Sequence, residues 1–275
     1  MILTRGAAWR LAQDRIERLD ARLLVQHAAT CSHADLIAHP EKALTSAQAA
    51  WFESLVARRA GGEPLAYLLG SAGFYGREFS VGPAVLIPRP ETELLVDLAL
   101  DRSRCLALPT LVDLGTGSGV VAVTLALERP AARVAAVDLS PEALAVARSN
   151  AERLGAAVDF HAGSWFEPLA GRRYDLIVSN PPYVAHGDPH LERNGLPFEP
   201  QIALTDGIAG GDGLACIRAI VAGAPAHLAA GGWLLFEHGY DQGAACRNLL
   251  RAAGFKNVLT QTDLAGNDRV SGGQI

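Results

Sequence analysis

Beyond about residue 91, short apolar runs alternate with longer helical stretches, and this alternation limits the fold more than any other property of the chain. Leu111–Leu114, Val134–Val137, Val158–His161, Leu176–Val178, Leu234–Phe236 and Val258–Gln261 have the length and apolar content of buried strands. Between them lie helical stretches at Gly119–Leu127, Pro141–Leu154 with proline at its start, Leu214–Leu228 and Asp241–Ala253. Such a chain folds as a mostly parallel sheet with helices on both faces, and its chemistry sits in the loops after the strands' carboxyl ends.

The first part of the chain has a different character. Residues 1–73 read as short helices, with Asp20 expected to cap a segment carrying Leu23, Leu24 and Val25. Thr45 or Ser46 is expected to cap a segment whose Trp51, Leu55 and Val56 face the core. Phe74, Tyr75, Phe79, Val81, Val85 and Ile87, interrupted by Gly76, Gly82 and Pro83, predict a β-hairpin that ends at Pro88-Arg89-Pro90. Glu91 and Glu93 then open a helix, where carboxylates favour the positive end of the dipole. The expected organisation is a helical partner-docking domain over 1–73, a hairpin linker over 74–90 and a catalytic α/β domain over 91–275.

Composition excludes several classes. At 49% hydrophobic and 19% charged, the chain is globular rather than disordered. Its net charge is −5: residues 1–73 hold 8 basic and 7 acidic side chains, the remainder 16 basic and 22 acidic. Neither part shows the basic excess that grips a phosphate backbone, so no direct nucleic-acid binding is expected. No apolar run approaches the roughly 20 residues a membrane span needs. The N-terminal residues are soon interrupted by Arg10, Asp14 and Arg15, unlike a secretory leader. Cys31, Cys105, Cys216 and Cys246 lie far apart, which suits free thiols in a reducing cytoplasm. A cytoplasmic monomer is expected.

Two loops carry the chemistry. In the first, Asp113-Leu114-Gly115-Thr116-Gly117-Ser118-Gly119 follows a strand and opens a helix. Gly115 and Gly117 let the backbone approach a ligand, and Gly119 allows close helix–strand packing. Asp138 ends the next strand about 20 residues on, where a carboxylate takes up ribose hydroxyls. The spacing is G-x-G-x-G and acidic Asp113 precedes it. A carboxylate there repels a pyrophosphate but suits a sulfonium and an ammonium, which indicates S-adenosylmethionine. In the second loop, Ser179-Asn180-Pro181-Pro182-Tyr183 follows the fourth strand. Neither proline has an N–H, so the corner offers the Asn180 amide and carbonyl oxygens, acceptors for a planar NH2 group. Tyr183 adds a ring that can pack on the substrate. Together the loops describe a methyltransferase acting on an amino group.

The chain resembles the HemK/PrmC family, the protein-(glutamine-N5) methyltransferases that act on peptide chain release factors. The resemblance rests on Gly62-Glu63-Pro64-Leu65-Ala66-Tyr67-Leu68-Leu69-Gly70 and Leu86-Ile87-Pro88-Arg89-Pro90-Glu91-Thr92-Glu93. It extends through Phe198-Glu199-Pro200, Gly211-Asp212-Gly213-Leu214, Glu237-His238-Gly239 and Asn267-Asp268-Arg269-Val270. It implies a Rossmann-like class I fold with a seven-stranded sheet, and a cofactor lined by Gly115, Thr116, Gly117, Ser118 and Gly119. It further places Asp138 on the ribose, Trp165 beside the adenine and Asn180 between cofactor and substrate. Ser164 stands where the family often has an acidic residue, so a serine oxygen or a backbone carbonyl has to serve there. The implied substrate is the glutamine of the release factors' Gly-Gly-Gln motif. Asn-Pro-Pro-Tyr also occurs in ribosomal-protein glutamine methyltransferases and in DNA adenine-N6 methyltransferases.

The expected catalytic set is Asn180, Pro181 and Tyr183, with Pro182 stiffening the corner against the substrate. The Asn180 Oδ1 and the Pro181 carbonyl are expected to accept the two amide hydrogens of the glutamine. Other candidates are read as structural. His186 and His190, beside Asp188, have no further ligand at metal spacing and read as a solvated loop, and no metal is expected. His238 reads as a hydrogen-bonded strand end, and Arg89 and Glu91 as structural, interdomain ties in preference to substrate contacts. Phe198-Glu199-Pro200 shapes a loop or the substrate mouth.

Overall fold

The computed structural model describes residues 3–193 and 195–275; Met1 and Ile2 of the polar-interrupted N-terminus lie outside them. The chain divides into two compact units, Met1–Ser71 with Glu192–Phe198, and Ala72–Leu191 with Glu199–Ile275.

The first unit contains α1 (Arg5–Ala12), α2 (Arg18–Ala29), α3 (His33–Ala38), α4 (Ser46–Ala60) and α5 (Leu65–Leu69). Their apolar faces meet in one cluster that includes Leu24, Val25, Leu36, Phe52, Leu55 and Val56. Thr45 caps α4 as expected: its hydroxyl accepts the Gln48 N–H at 3.2 Å and the Gln48 side chain accepts the Thr45 N–H at 3.0 Å. Two expectations fail here. Asp20 is not a cap, because α2 starts at Arg18; the carboxylate is turned inward and pairs with Arg59 of α4 at 2.6 Å. Trp51 is 44% exposed. Phe52, Leu55 and Val56 take the i, i+3, i+4 stripe that faces the core, which rotates Trp51 about 100° away.

The second unit, from Ala72, opens within a hairpin of β1 (Ser71–Phe74) and β2 (Arg77–Ser80). Its turn residues Tyr75 and Gly76 both have positive φ, the conformation of a two-residue hairpin loop. The strands therefore lie earlier than the pattern from Phe74 to Ile87 suggested. Residues 81–89 form no strand: Pro83 and Pro88 cannot donate to a ladder. Asn150, fully buried, ties the hairpin down. Its amide accepts the Ser80 N–H at 2.8 Å and donates to the Ser80 and Ser118 carbonyls at 3.0 and 2.9 Å.

The remainder runs α6 (Glu93–Ser103), β3 (Thr110–Leu114), α7 (Val120–Glu128), β4 (Arg133–Asp138), α8 (Pro141–Leu154), β5 (Val158–Ala162) and β6 (Tyr174–Ser179). It continues through β7 (Val184–His186), β8 (Thr205–Ala209), α9 (Ala215–His227), β9 (Leu228–Glu237), α10 (Gly243–Ala252), β10 (Lys256–Thr262) and β11 (Asp268–Gln274). Seven strands form one sheet in the order β10-β11-β9-β6-β3-β4-β5, parallel except for β11, which is antiparallel to both neighbours. The expected mostly parallel seven-stranded sheet is present.

Strand side chains alternate between two cores. Leu111, Val134, Ala136, Leu176, Val178 and Leu235 join the cluster under α6, α7 and α8. Val112, Leu114, Ala135, Val137, Ile177 and Phe236 join the one under α9 and α10. A strand buried on both faces reads as a continuous apolar run, which is why these were visible in the sequence. The chain leaves β3 toward β4 and β5, then returns to place β6 on the other side of β3. That reversal opens a crevice at the strands' carboxyl ends.

Candidate active site

A cavity of about 280 Å³ occupies this crevice in the second unit. The loop after β3 forms its floor. Gly115, Gly117 and Gly119 have φ of 72°, 54° and 83°, a region that disfavours any side chain. The space beside two of them is also filled. A Cβ on Gly115 would touch the Trp165 ring at 3.4 Å, and one on Gly119 would meet the Ala147 Cβ at 3.0 Å.

The cavity is acidic. Asp113, Asp138 and Asp206 line it, and the one lining cation among the described residues, Arg89, is paired with buried Glu199. Asp113 is 1% exposed and accepts the Thr116 hydroxyl at 2.6 Å. Burial pushes its pKa up to about 7, against the pull of Thr116 and of the Ala122 N–H. Asp138 takes the Gly117 N–H on Oδ2 at 2.8 Å and the Ser140 N–H on Oδ1 at 2.9 Å. Burial raises its pKa too, opposed by those backbone donors. A site with these carboxylates fits a cationic ligand bearing ribose hydroxyls and does not fit a pyrophosphate. Asp113 and Asp138, the glycine backbone and the Trp165 ring are the groups that can hold S-adenosylmethionine.

Asn180 follows β6 on the other wall of the cavity. Its Nδ2 donates to Thr92 Oγ1 at 3.1 Å. Thr92 in turn donates to Glu237 Oε2 at 2.7 Å, and the Tyr183 hydroxyl donates to Glu237 Oε1 at 3.0 Å. Glu237 ends β9, and β9 pairs with β6 so that Ser179 lies opposite Phe236. The sheet itself thus brings Asn180 and Glu237 side by side. Thr92 and Glu237 are 2% and 1% exposed. Burial raises the Glu237 pKa, while Thr92, Tyr183 and the charge of Arg269 hold it down. Burial, and then the neighbouring Glu237, raise that of Tyr183.

Residues 3–70 match the PrmC N-terminal domain, and residues 91–193 match the methyltransferase small domain. The release factor glutamine methyltransferase of Bordetella pertussis is 51% identical over 266 residues, 96% of this chain and 97% of that protein. That of Xylella fastidiosa (strain Temecula1) is 50% identical over 264 residues, 96% of this chain and 95% of the relative. This chain belongs to the release factor glutamine methyltransferase family. The fold also recurs in the T. thermophilus 16S rRNA N2 G1207 methyltransferase, with a TM-score of 0.54 and 21% identity over 74% of this chain and 49% of that one.

Within this family member the expected site residues divide. Gly115, Thr116, Gly117, Ser118, Asp138, Trp165, Asn180 and Pro182 line one cavity, and Ser164 lines it with them. Gly119 sits behind it as the first residue of the turn into α7, packed on Ala147. Pro181 is buried outside the lining. Tyr183, expected against the substrate, lies outside the lining as well. Its ring packs with the α9 side core and its hydroxyl is spent on Glu237. Thr92 and Glu237 were missed as site residues. Both lie in stretches that carried the family resemblance, but no spacing rule joins positions 145 residues apart.

The remaining candidates are structural. His238 is buried with Nδ1 bonded to the Gly239 carbonyl and Nε2 to Ser271 Oγ, both at 2.8 Å. Since Nδ1 must donate to a carbonyl, Nε2 accepts from Ser271; burial lowers the His238 pKa. Arg89 ties to Glu199, which also accepts the Ile87 N–H at 2.9 Å. The tie is internal to the second unit rather than interdomain, and Glu91 is exposed. Exposed His190 bonds Asp188 at 2.7 Å. Among the described residues no three His, Cys, Asp or Glu side chains cluster to hold a metal, and no helix is long and apolar enough to cross a membrane.

Proposed function

We propose that this chain transfers a methyl group from S-adenosylmethionine to the side-chain amide nitrogen of the glutamine in the Gly-Gly-Gln motif of class I peptide chain release factors. The products are N5-methylglutamine and S-adenosylhomocysteine. The observation that supports this reading is Asn180 on the cavity wall with its NH2 end bound to Thr92, which leaves Oδ1 as the amide's acceptor for a ligand.

A carboxamide nitrogen is a weak nucleophile because its lone pair is delocalised into the carbonyl. Asn180 Oδ1 accepts one of its hydrogens, and the carbonyl of Pro181, next in the chain but outside the cofactor cavity's lining, accepts the other. Those two bonds aim the lone pair across the cavity and favour a partly pyramidal nitrogen. Bound S-adenosylmethionine supplies an electrophilic methyl carbon on a sulfonium sulfur. Asp113 and Asp138 would hold that cofactor, while Asn180 and Pro181 would orient the amide toward it. Orientation of that kind contributes roughly 7–11 kcal/mol. No strong base is required, since the nitrogen acquires its acidity only as it gains the methyl group and then releases a proton. Pro182 has no N–H and keeps the corner rigid.

The helical module over residues 1–73 serves as the docking domain for the release factor, with 74–90 as its link to the methyltransferase domain over 91–275. The enzyme works as a cytoplasmic monomer and does not bind nucleic acid directly. The test is mass spectrometry of a class I release factor incubated with enzyme and S-adenosylmethionine. One added methyl on the Gly-Gly-Gln glutamine is expected, and an unmodified glutamine overturns the reading.

A further inference from the structure

An asparagine side chain is nearly symmetric in shape, and nothing steric distinguishes its oxygen from its NH2. For a substrate amide the distinction is decisive. Oδ1 facing the cavity accepts the glutamine's hydrogen, whereas NH2 facing the cavity confronts a donor with a donor. Something must therefore fix the rotamer, and the Ser179-Asn180-Pro181-Pro182 corner does not itself do so.

We propose that Thr92 and Glu237 are positioning residues that fix which end of the Asn180 amide faces the substrate, and so make the site select glutamine over glutamate. Glu237 in its ionised form, which the charge of Arg269 favours, has no hydrogen to give, so both hydroxyls that touch it donate: Tyr183 to Oε1 at 3.0 Å and Thr92 to Oε2 at 2.7 Å. Thr92 has one hydroxyl hydrogen, and it is committed. Toward Asn180 the Thr92 oxygen presents only lone pairs, so the group 3.1 Å away must be the amide NH2. The Asn180 oxygen is then forced to the opposite side. Both Thr92 and Glu237 are almost wholly buried, so water cannot readily substitute for either partner.

The consequence concerns selectivity. A glutamine side chain offers NH2 hydrogens to Oδ1, while a glutamate offers only acceptors and is repelled by it. With the amide reversed, the preference inverts. The inference rests on the glutamine-methylation reading above and adds what orients its acceptor.

The test uses full-length wild type, Thr92→Val, Thr92→Ser and Glu237→Gln. Calorimetry with S-adenosylhomocysteine verifies each folded cofactor site. Binding is then measured, with S-adenosylhomocysteine present, to a release factor carrying its acceptor glutamine and to one carrying glutamate there, alongside kcat and KM. Wild type and Thr92→Ser should prefer the glutamine form. Thr92→Val should lose about tenfold of that preference and about tenfold in kcat/KM, with S-adenosylhomocysteine affinity within about threefold. Glu237→Gln, whose own NH2 can turn toward Thr92, should lose preference in the same direction. If Thr92→Val does not bind S-adenosylhomocysteine, Glu237→Gln decides by the same criterion. A folded variant that keeps wild-type preference overturns the proposal, whether or not its turnover falls, because a merely structural loss leaves the preference intact. Wild type that does not methylate the release factor is a different failure, that of the underlying reading.

Discussion

Asp113→Asn should make the folded protein more stable and the enzyme worse. The carboxylate is buried among Thr116, the glycine loop and α7, and its pKa is moved from an ordinary 3.8 to about 7. At about 1.4 kcal/mol per decade of acidity, ionising it inside the fold costs about 4 kcal/mol. The sign follows from linkage. Between pH 3.8 and 7 the unfolded chain has released this proton and the folded chain retains it, so this group makes stability fall as pH rises through that window. Above pH 7 its contribution is flat. Asparagine keeps an acceptor for the Thr116 hydroxyl and the Ala122 N–H but never ionises. Urea denaturation of variant and wild type from pH 4.5 to 8.5 isolates this group together with its coupling to Asp138, since uncoupled titrations cancel in the difference. The stability difference should start small, grow by up to about 1.4 kcal/mol per pH unit, and level off above pH 7 at about 4 kcal/mol in favour of asparagine. Calorimetry at pH 8 should show S-adenosylmethionine binding weakened roughly tenfold by loss of the anion. A stability difference that does not change with pH, or a less stable asparagine variant at pH 8, refutes the burial argument.

Three further substitutions probe other parts of the account. Asn180→Ala should lower turnover by a factor of roughly 100 or more, with S-adenosylmethionine affinity changed far less, measured by methyl incorporation and calorimetry. Gly119→Val places a branched side chain at φ 83° against Ala147. It should destabilise the fold by about 2–4 kcal/mol in urea titration and weaken cofactor binding. Asn150→Ala strands the Ser80 and Ser118 backbone groups that its amide satisfies. A loss of about 2–4 kcal/mol is expected, with faster amide exchange in β2 and the glycine loop.

What the sequence disclosed was whatever is encoded locally. The strands of the central sheet are apolar on both faces, so they stand out as runs without any knowledge of partners. The glycine loop and Asp138 lie one strand–helix–strand unit apart, and Asn180 is marked by the two prolines behind it. Thr45 and Gln48 announce a helix start within four residues. What stayed hidden depends on pairings across long separations. Asp20 looks like a cap until Arg59 is brought to it, and Trp51 looks like core until its neighbour Phe52 takes the inward face. The hairpin was misplaced because Val81 and Val85 are apolar for burial, Val85 at the cavity, rather than for a ladder. Tyr183 has the composition of a substrate platform, but a buried carboxylate from β9 claims its hydroxyl. The Thr92–Glu237 contact could not be read at all, because the sheet order that creates it is not written in either stretch.

The central claim is geometric: two fixed acceptors hold the substrate amide. It is tested most directly by a crystal structure of the enzyme with S-adenosylhomocysteine and a release factor. The account predicts the acceptor glutamine's amide nitrogen within hydrogen-bond distance, about 3 Å, of both Asn180 Oδ1 and the Pro181 carbonyl, with Nδ2 on Thr92. A glutamine amide held by other groups, or facing the Asn180 NH2, contradicts it.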